Sequence, residues 1–448
     1  MTERPPVAVI AIVESRADRA SSHICDRLRD LAEWEELTDG SRPAADGGGA
    51  YYRTDGAELR SFDALHLELE APVDAFDCDP AFLVFASRHS GDTGALLTGH
   101  FTGNFGPAEY GGGDGSLAEA CPNALVALLE AFEGYAPDGY ETGLECTHHG
   151  PTDVGCPSLF AELGSDDEQW DDPDGAEAVA RAILDLRGVE AHRRRQLVGF
   201  GGSHYVPRFT RIVRETPWAV GHVGAGWALE AMGDPRDSRD VLESAFEASG
   251  ADVAVIDDER PALESVLEEL GYRVVSETWL REIGERPLEV VDAVEAELGS
   301  VDGGVRFGEA TADEALDIVE LPDELVTAAE GCDPAAVRSA LEARAVAFET
   351  ENGGSRVGGR AAVSSDGVRR QIVEALATVL ESKYDRVTVE DDAVVAERAA
   401  FDPERARAAG VPEGPKFGAL ANGTAVTVDG ETIEPVDVRT DRTRRFPF

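Results

Sequence analysis

The chain has 448 residues, long enough for two domains rather than one core. Hydrophobic residues make up 42% of it, which suits a globular protein and excludes a disordered one. Acidic residues number 88 against 40 basic, a formal net charge of −48, and only Lys383 and Lys416 are lysines. This much like charge strains a compact state in dilute buffer, but in molar salt the Debye length is roughly 3 Å and the repulsion is screened. The composition implies a salt-rich cytoplasm. It does not exclude a nucleic-acid partner, because counterion-driven affinity is already weakened at high salt.

Taken in chain order, residues 7–13 are short, apolar and β-branched, the pattern of a buried strand. Ser15 is placed to cap a helix over residues 18–31. Strands are expected at residues 65–69 (by alternation), 82–86 and 96–100, then a helix at 122–132. A strand over residues 143–149 leads into a loop, and a helix covers residues 176–186. Strands at residues 196–200, 219–223, 253–256 and 272–275 follow, with a helix at 261–270 before the last. Strands alternating with helices predict an α/β fold with a mostly parallel sheet flanked by helices. In such sheets ligands sit beyond the carboxyl ends of strands. The pattern loosens at residues 291–306, read as a linker, so the expected domains are residues 1–290 and 307–448. The second is smaller and α+β, with helices at residues 313–319, 334–345 and 371–380.

Nine histidines occur, all within the first 222 residues, and at least five fall at predicted strand ends. Four constellations stand out. Ser87-Arg88-His89-Ser90 delivers a hydroxyl, a fixed charge and an imidazole from one strand. His100-Phe101-Thr102-Gly103-Asn104 pairs an imidazole with an amide able to donate to an oxyanion. Glu145-Cys146-Thr147-His148-His149-Gly150-Pro151-Thr152 sets two imidazoles in a loop, with Glu145 as a general base or a carboxylate orienting a ring. In Gly201-Gly202-Ser203-His204-Tyr205-Val206-Pro207-Arg208-Phe209, two glycines allow close backbone approach to a ligand, and Arg208 suits phosphate or carboxylate. Neutral imidazoles beside carboxylates suit zinc, which lowers the pKa of bound water and polarises a carbonyl. No H-E-x-x-H, G-x-S-x-G, P-loop or dinucleotide fingerprint is present, which removes the commoner hydrolase, ATPase and dehydrogenase readings. Six cysteines form no C-x-x-C pair, so reduced thiols are expected. No apolar run reaches about 18 residues, so a soluble, intracellular protein with no membrane association is expected. Arg193, Arg194, Arg195, Arg208, Arg211 and Arg214 form short basic clusters suited to phosphate.

These strings, together with Leu97-Thr98-Gly99-His100 and Gly221-His222, resemble in order the motif series of the archaeal and plant type of D-aminoacyl-tRNA deacylase, over roughly residues 5–285. The resemblance implies hydrolysis of the ester joining a D-amino acid to tRNA. It also implies a fold related to the phosphorylase/hydrolase-like sheet, two zinc ions per subunit, and a monomer without a protein partner. His89, His100, His148, His204 and His222 carry over as metal-ligand candidates, and Glu145, Asn104 and His149 as catalytic candidates. Arg88, Arg208, Tyr205, Gly201 and Gly202 are the substrate-binding candidates. Residues 401–418 look like a tail element of longer members that helps seat tRNA. Two alternatives remain at this stage. One is a metal-independent peptidyl-tRNA or nucleoside hydrolase or phosphorylase-like enzyme with histidine as base. The other is a non-catalytic tRNA-binding protein with structural histidines.

Overall fold

A computed structural model describes residues 8–312 and 316–448, divided into two units, Met1–Arg281 and Glu282–Phe448. The first unit is built on two sheets. Its strands are β1 (Ile10–Ser15), β2 (Glu35–Asp39), β3 (Gly49–Thr54), β4 (Ala57–Phe62), β5 (Phe82–Arg88), β6 (Leu96–His100), β7 (Glu141–Leu144) and β8 (Ser158–Gly164), then β9 (Gln196–Phe200), β10 (Ala219–Gly224), β11 (Val253–Ile256) and β12 (Arg273–Val274). The first eight form one sheet in the order β2-β3-β4-β1-β5-β8-β6-β7, and the last four a second in the order β10-β9-β11-β12.

The second sheet is wholly parallel. The first is mixed: β4, β1, β5 and β8 run parallel, whereas β2 and β3, β3 and β4, and β6 and β8 are antiparallel pairs. A mostly parallel single sheet is therefore corrected to a mixed sheet plus a small parallel one. The central strand Phe82-Leu83-Val84-Phe85-Ala86 is fully buried, as a strand covered on both faces must be.

Helix α1 (Arg19–Leu31) covers β1 and β5 with Ile24, Cys25 and Leu28 buried. Its cap is Asp18, whose carboxylate accepts from Ser21 N, and not Ser15, whose hydroxyl donates to Ala64 O. Helices α2 (Pro122–Tyr135) and α4 (Pro173–Asp185), with the short α3 (Asp167–Trp170) before the latter, also pack here. α5 (Pro207–Glu215) follows β9. Residues 65–69, expected as a strand, form a 3-10 turn over His66–Glu68. Residues 1–7 lie outside the described residues, so that part of the first expected strand is not placed.

The second unit is α+β. Val305–Phe307, Ala347–Glu351, Arg356–Val363 and Asp317–Glu320 make an antiparallel sheet, and Arg386–Val389, Ala393–Phe401 and Arg439–Pro447 another. Leu325, Phe348, Ile372, Leu376 and Phe446 share its core. Residues 291–306, read as a linker, hold most of the helix Leu288–Leu298 and the start of a strand. Of the helix expected at residues 313–319, positions 313–315 lie outside the described residues and Asp317–Glu320 is a strand.

Candidate active site

The register brings Phe85 and Ser87 of β5, Phe160 and Glu162 of β8, and Thr98 and His100 of β6 onto one face of the large sheet. Because β6 runs against β8, His100 ends up beside the middle of β8 and not beyond its carboxyl end. The site therefore spreads over a sheet face as well as a strand rim. The loop after β7 closes over this face. Its backbone is strung between neighbours: Glu145 N donates to Gly99 O (3.1 Å), Cys146 N to His204 O (2.8 Å) and Thr147 N to Val223 O (2.9 Å). His149 adopts φ 44°, a left-handed conformation uncommon outside glycine, and its carbonyl accepts from Gly103 N. The small parallel sheet contributes His204 from the turn after β9.

Five of the expected imidazoles meet here. Ring centroids lie 4.2 Å apart for His100 and His148, 4.4 Å for His148 and His149, and 4.7 Å for His148 and His204. Three of these rings share one hydrogen-bond pattern. Nδ1 of His100 faces Phe101 O (3.1 Å), that of His148 faces Cys146 O (2.8 Å), and that of His149 faces Gly150 O (2.6 Å). A carbonyl oxygen only accepts, so Nδ1 carries a proton in each ring. At His100, Nε2 also faces Glu162 Oε1 at 3.5 Å, and that carboxylate raises the ring's pKa against its burial. Burial, with His100 close by, pushes His148 well below the ordinary histidine value and His149 down to about 4.

The other two rings lie against carboxylates. His89 Nδ1 is 3.1 Å from Glu145 Oε1 and 3.6 Å from Glu162 Oε2. His204 Nε2 is 2.7 Å from Glu145 Oε2. Burial disfavours a charged His89, but Glu145 and Glu162 outweigh it and lift its pKa to about 11. The hydroxyl of Tyr205 completes the surroundings of that ring, 3.2 Å from Nε2. Glu145, which is buried, is held well below the usual carboxylate range by His204 and His89 against its own desolvation.

Donor atoms of His100, His148 and His149 all lie within 4.8 Å of one another, as do those of Cys146, His148 and His204, and those of His89, Glu145 and Glu162. Two buried atoms in these groups, His100 Nε2 and Glu145 Oε1, have no hydrogen-bond partner, the 3.1 Å approach of His89 to the latter being poorly aligned. Unpartnered buried donor atoms of this type, on rings whose far nitrogens are tied down, fit a bound cation.

The remaining expected residues stand elsewhere. His222 is outside the cluster: its Nε2 donates to Ala118 O (2.8 Å) and its Nδ1 accepts from the Thr147 hydroxyl (3.0 Å), so it buttresses the loop. Asn104 donates to Gly111 O (3.0 Å) and Gly113 O (3.3 Å), clamping the glycine loop. Arg208 is turned to Ile256 O, Asp257 and Glu277. Gly201 and Gly202 have φ of 91° and 79°, and a Cβ there would meet Asp258 Oδ1 at 2.6 Å and Asp257 Oδ2 at 2.7 Å. Their smallness serves the turn and these aspartates. Arg88 stacks over Trp170 (5.2 Å) and lines a cavity of about 80 Å³ with Asp18, His66, His149 and Glu162. Glu162 and Cys146 were not among the expected site residues. A lone ionisable residue inside the apolar run Leu159-Phe160-Ala161-Glu162-Leu163 is the signal that would have found the first.

The architecture and the site together define an α/β protein with a candidate metal centre. The family model described as D-aminoacyl-tRNA deacylase matches residues 76–275. The chain is 56% identical over 442 residues to a D-aminoacyl-tRNA deacylase of Natronomonas pharaonis, covering 98% of this chain and 100% of that one. It is 53% identical over 477 residues to one of Halorubrum lacusprofundi, covering 98% and 97%. A crystal structure of a conserved protein of unknown function superposes with TM-score 0.55 at 29% identity, covering 61% of this chain and 97% of that one. The chain belongs to the D-aminoacyl-tRNA deacylase family.

Proposed function

We propose that the imidazole–carboxylate cluster is where this family member hydrolyses the ester between a D-amino acid and tRNA, and that zinc is its cofactor. The observation that carries this reading is the shared orientation of His100, His148 and His149, each with Nδ1 on a backbone carbonyl, which leaves Nε2 as the donor atom toward the cluster and its carboxylates. These three rings would hold one ion, and His89, Glu145 and Glu162 a second. Bound zinc supplies Lewis acidity toward the ester carbonyl and lowers the pKa of water.

The chain's own residues do the rest. Glu145 fixes the His204 ring through Nε2, and Nδ1, 3.6 Å from Cys146 Sγ, would take the proton of the attacking water. Tyr205 and the two carboxylates hold His89 in place. Arg88, whose guanidinium makes no ion pair among the described residues, offers charge to the tRNA end. The acidic surface suits work in a salt-rich cytoplasm. Among the described residues no helix is long and apolar enough to cross a membrane.

The test is release of D-tyrosine against L-tyrosine from charged tRNA in molar salt, with and without a chelator. D-tyrosine release abolished by chelation and restored by zinc is expected. Full turnover by exhaustively metal-free protein would refute the zinc assignment, and equally fast peptidyl-tRNA cleavage would refute the substrate.

A further inference from the structure

The last strand of the second unit, Arg439–Pro447, reads RTDRTRRFP: four arginines to one aspartate, in a chain where acids outnumber bases 88 to 40. It is an edge strand, paired only with Ala393–Phe401. Arg442 lies directly opposite Arg398, and Arg444 opposite Ala396. Antiparallel partners share a face, as do residues two apart on a strand, so Arg398, Arg442 and Arg444 stand together. All three are exposed. None of them makes an ion pair or a side-chain hydrogen bond among the described residues; Arg444 rests over Phe446, 4.8 Å from the ring centre. Asp385, next in the register across from Arg398, gives its carboxylate to Ala399 N at 2.7 Å.

Like charges directly opposite one another destabilise a sheet. This chain has acids in abundance to neutralise them, and does so for Arg445 on the same strand, which bridges Glu390 and Asp392. Charged side chains guard sheet edges against aggregation, but acidic ones serve as well in so acidic a protein. The uncompensated arginines therefore call for an anion from outside.

The opposite face of the strand differs where it begins. A cavity of about 640 Å³ is lined by Arg405, Arg439, Glu434, Val436, Thr440 and Asp441. Arg439 Nε is buried without a hydrogen-bond partner, and Arg405 braces the backbone by donating to Arg439 O (2.7 Å). Arg439 is three positions from Arg442, so it stands on the face of Arg445 and is not part of the row. The three separate charges on the other face fit a polyanionic backbone better than a single small anion.

We propose that this edge is a tRNA-binding surface: Arg398, Arg442 and Arg444 contact successive backbone phosphates. The inference rests on tRNA being the substrate carrier.

The test uses the full chain in molar KCl. The variant Arg398→Gln/Arg442→Gln/Arg444→Gln should bind uncharged tRNA about tenfold more weakly. The slope of log affinity against log salt should shrink by about 0.7–0.9 for each phosphate left unneutralised. KM for D-tyrosyl-tRNA should rise in parallel. Lysine at the same three positions should restore the salt slope, and Arg445→Gln should leave it unchanged. Wild-type affinity and slope in the triple glutamine variant would overturn the proposal, as would a variant altered only in self-association. Failure of the wild-type protein to release D-tyrosine would instead sink the deacylase reading, since the binding measurement uses uncharged tRNA.

Discussion

The two halves of the imidazole cluster are made from one residue type and opposite partners. His148 and His149 lean on carbonyl oxygens, which orient the ring without adding a full charge, whereas His100 sets its carbonyl contact against the Glu162 carboxylate, 3.5 Å from Nε2. His89 and His204 lean on Glu145, which adds one. Around the first group, burial favours neutral His148 and His149; around His89 the charges override burial and the pKa climbs to about 11. A few ångströms thus separate two rings kept neutral from one whose carboxylate neighbours favour a proton, which a bound cation would displace. Partner choice, more than depth of burial, sets what each histidine can do.

Removing the charge that distinguishes the halves should have the largest effect. Glu145→Gln should lower turnover on the order of 10²–10⁴-fold, the usual span of general acid–base assistance. It should also bring the His89 titration, followed by NMR, down from about 11 toward the ordinary value. A His89 that titrates as before would break the comparison.

The rule that neutral partners keep a buried ring neutral extends beyond the cluster. Burial holds His66 down to about 3 and His222 to about 4, against an ordinary 6.5. The unfolded chain takes up these protons first, so stability is held above about pH 6.5 and lost as pH falls toward 4. A thermal midpoint that stays level from pH 7 to pH 4 in constant salt would contradict it. Tyr205→Phe, which strips one hydrogen bond from His89, should cost turnover about 2–10-fold, the equivalent of about 0.5–1.5 kcal/mol. The smallest effect is expected for Asn104→Ala. It should lower stability by about 1 kcal/mol through the glycine loop, with turnover within about twofold. A hundredfold fall in its kcat would return Asn104 to the oxyanion role that the sequence suggested.

Much of this site was legible because its histidines sit in short, ordered strings. His89, His100, His148, His149 and His204 were each marked by a neighbouring strand end or glycine turn, and they converge. What escaped was set by long-range pairing. Nothing local announces that β6 opposes β8, yet that pairing places Glu162 between Ser87 and Thr98. Likewise β2, β3 and β4 carry no expected strand, because the buried pair of Arg60 and Glu58, 2.7 Å apart, looks like surface when only its charges are seen. Asn104 and Arg208 have the right chemistry for catalysis or phosphate, and tertiary contacts turned both toward the protein instead. His222 was flagged by its position after a strand, and its value lies in holding Thr147.

That last contact has a wider consequence. The Thr147 hydroxyl bonds both the His222 ring and Val223 N, and Cys146 N reaches His204 O, so the double-histidine loop is riveted to the small parallel sheet while Glu145 N is riveted to the large one. The reactive geometry is thus pinned between the two sheets of one unit. A slide of one sheet against the other by a fraction of a bond length would detune His204 against both Glu145 and His148, so catalytic competence is a more delicate property of this chain than its foldedness.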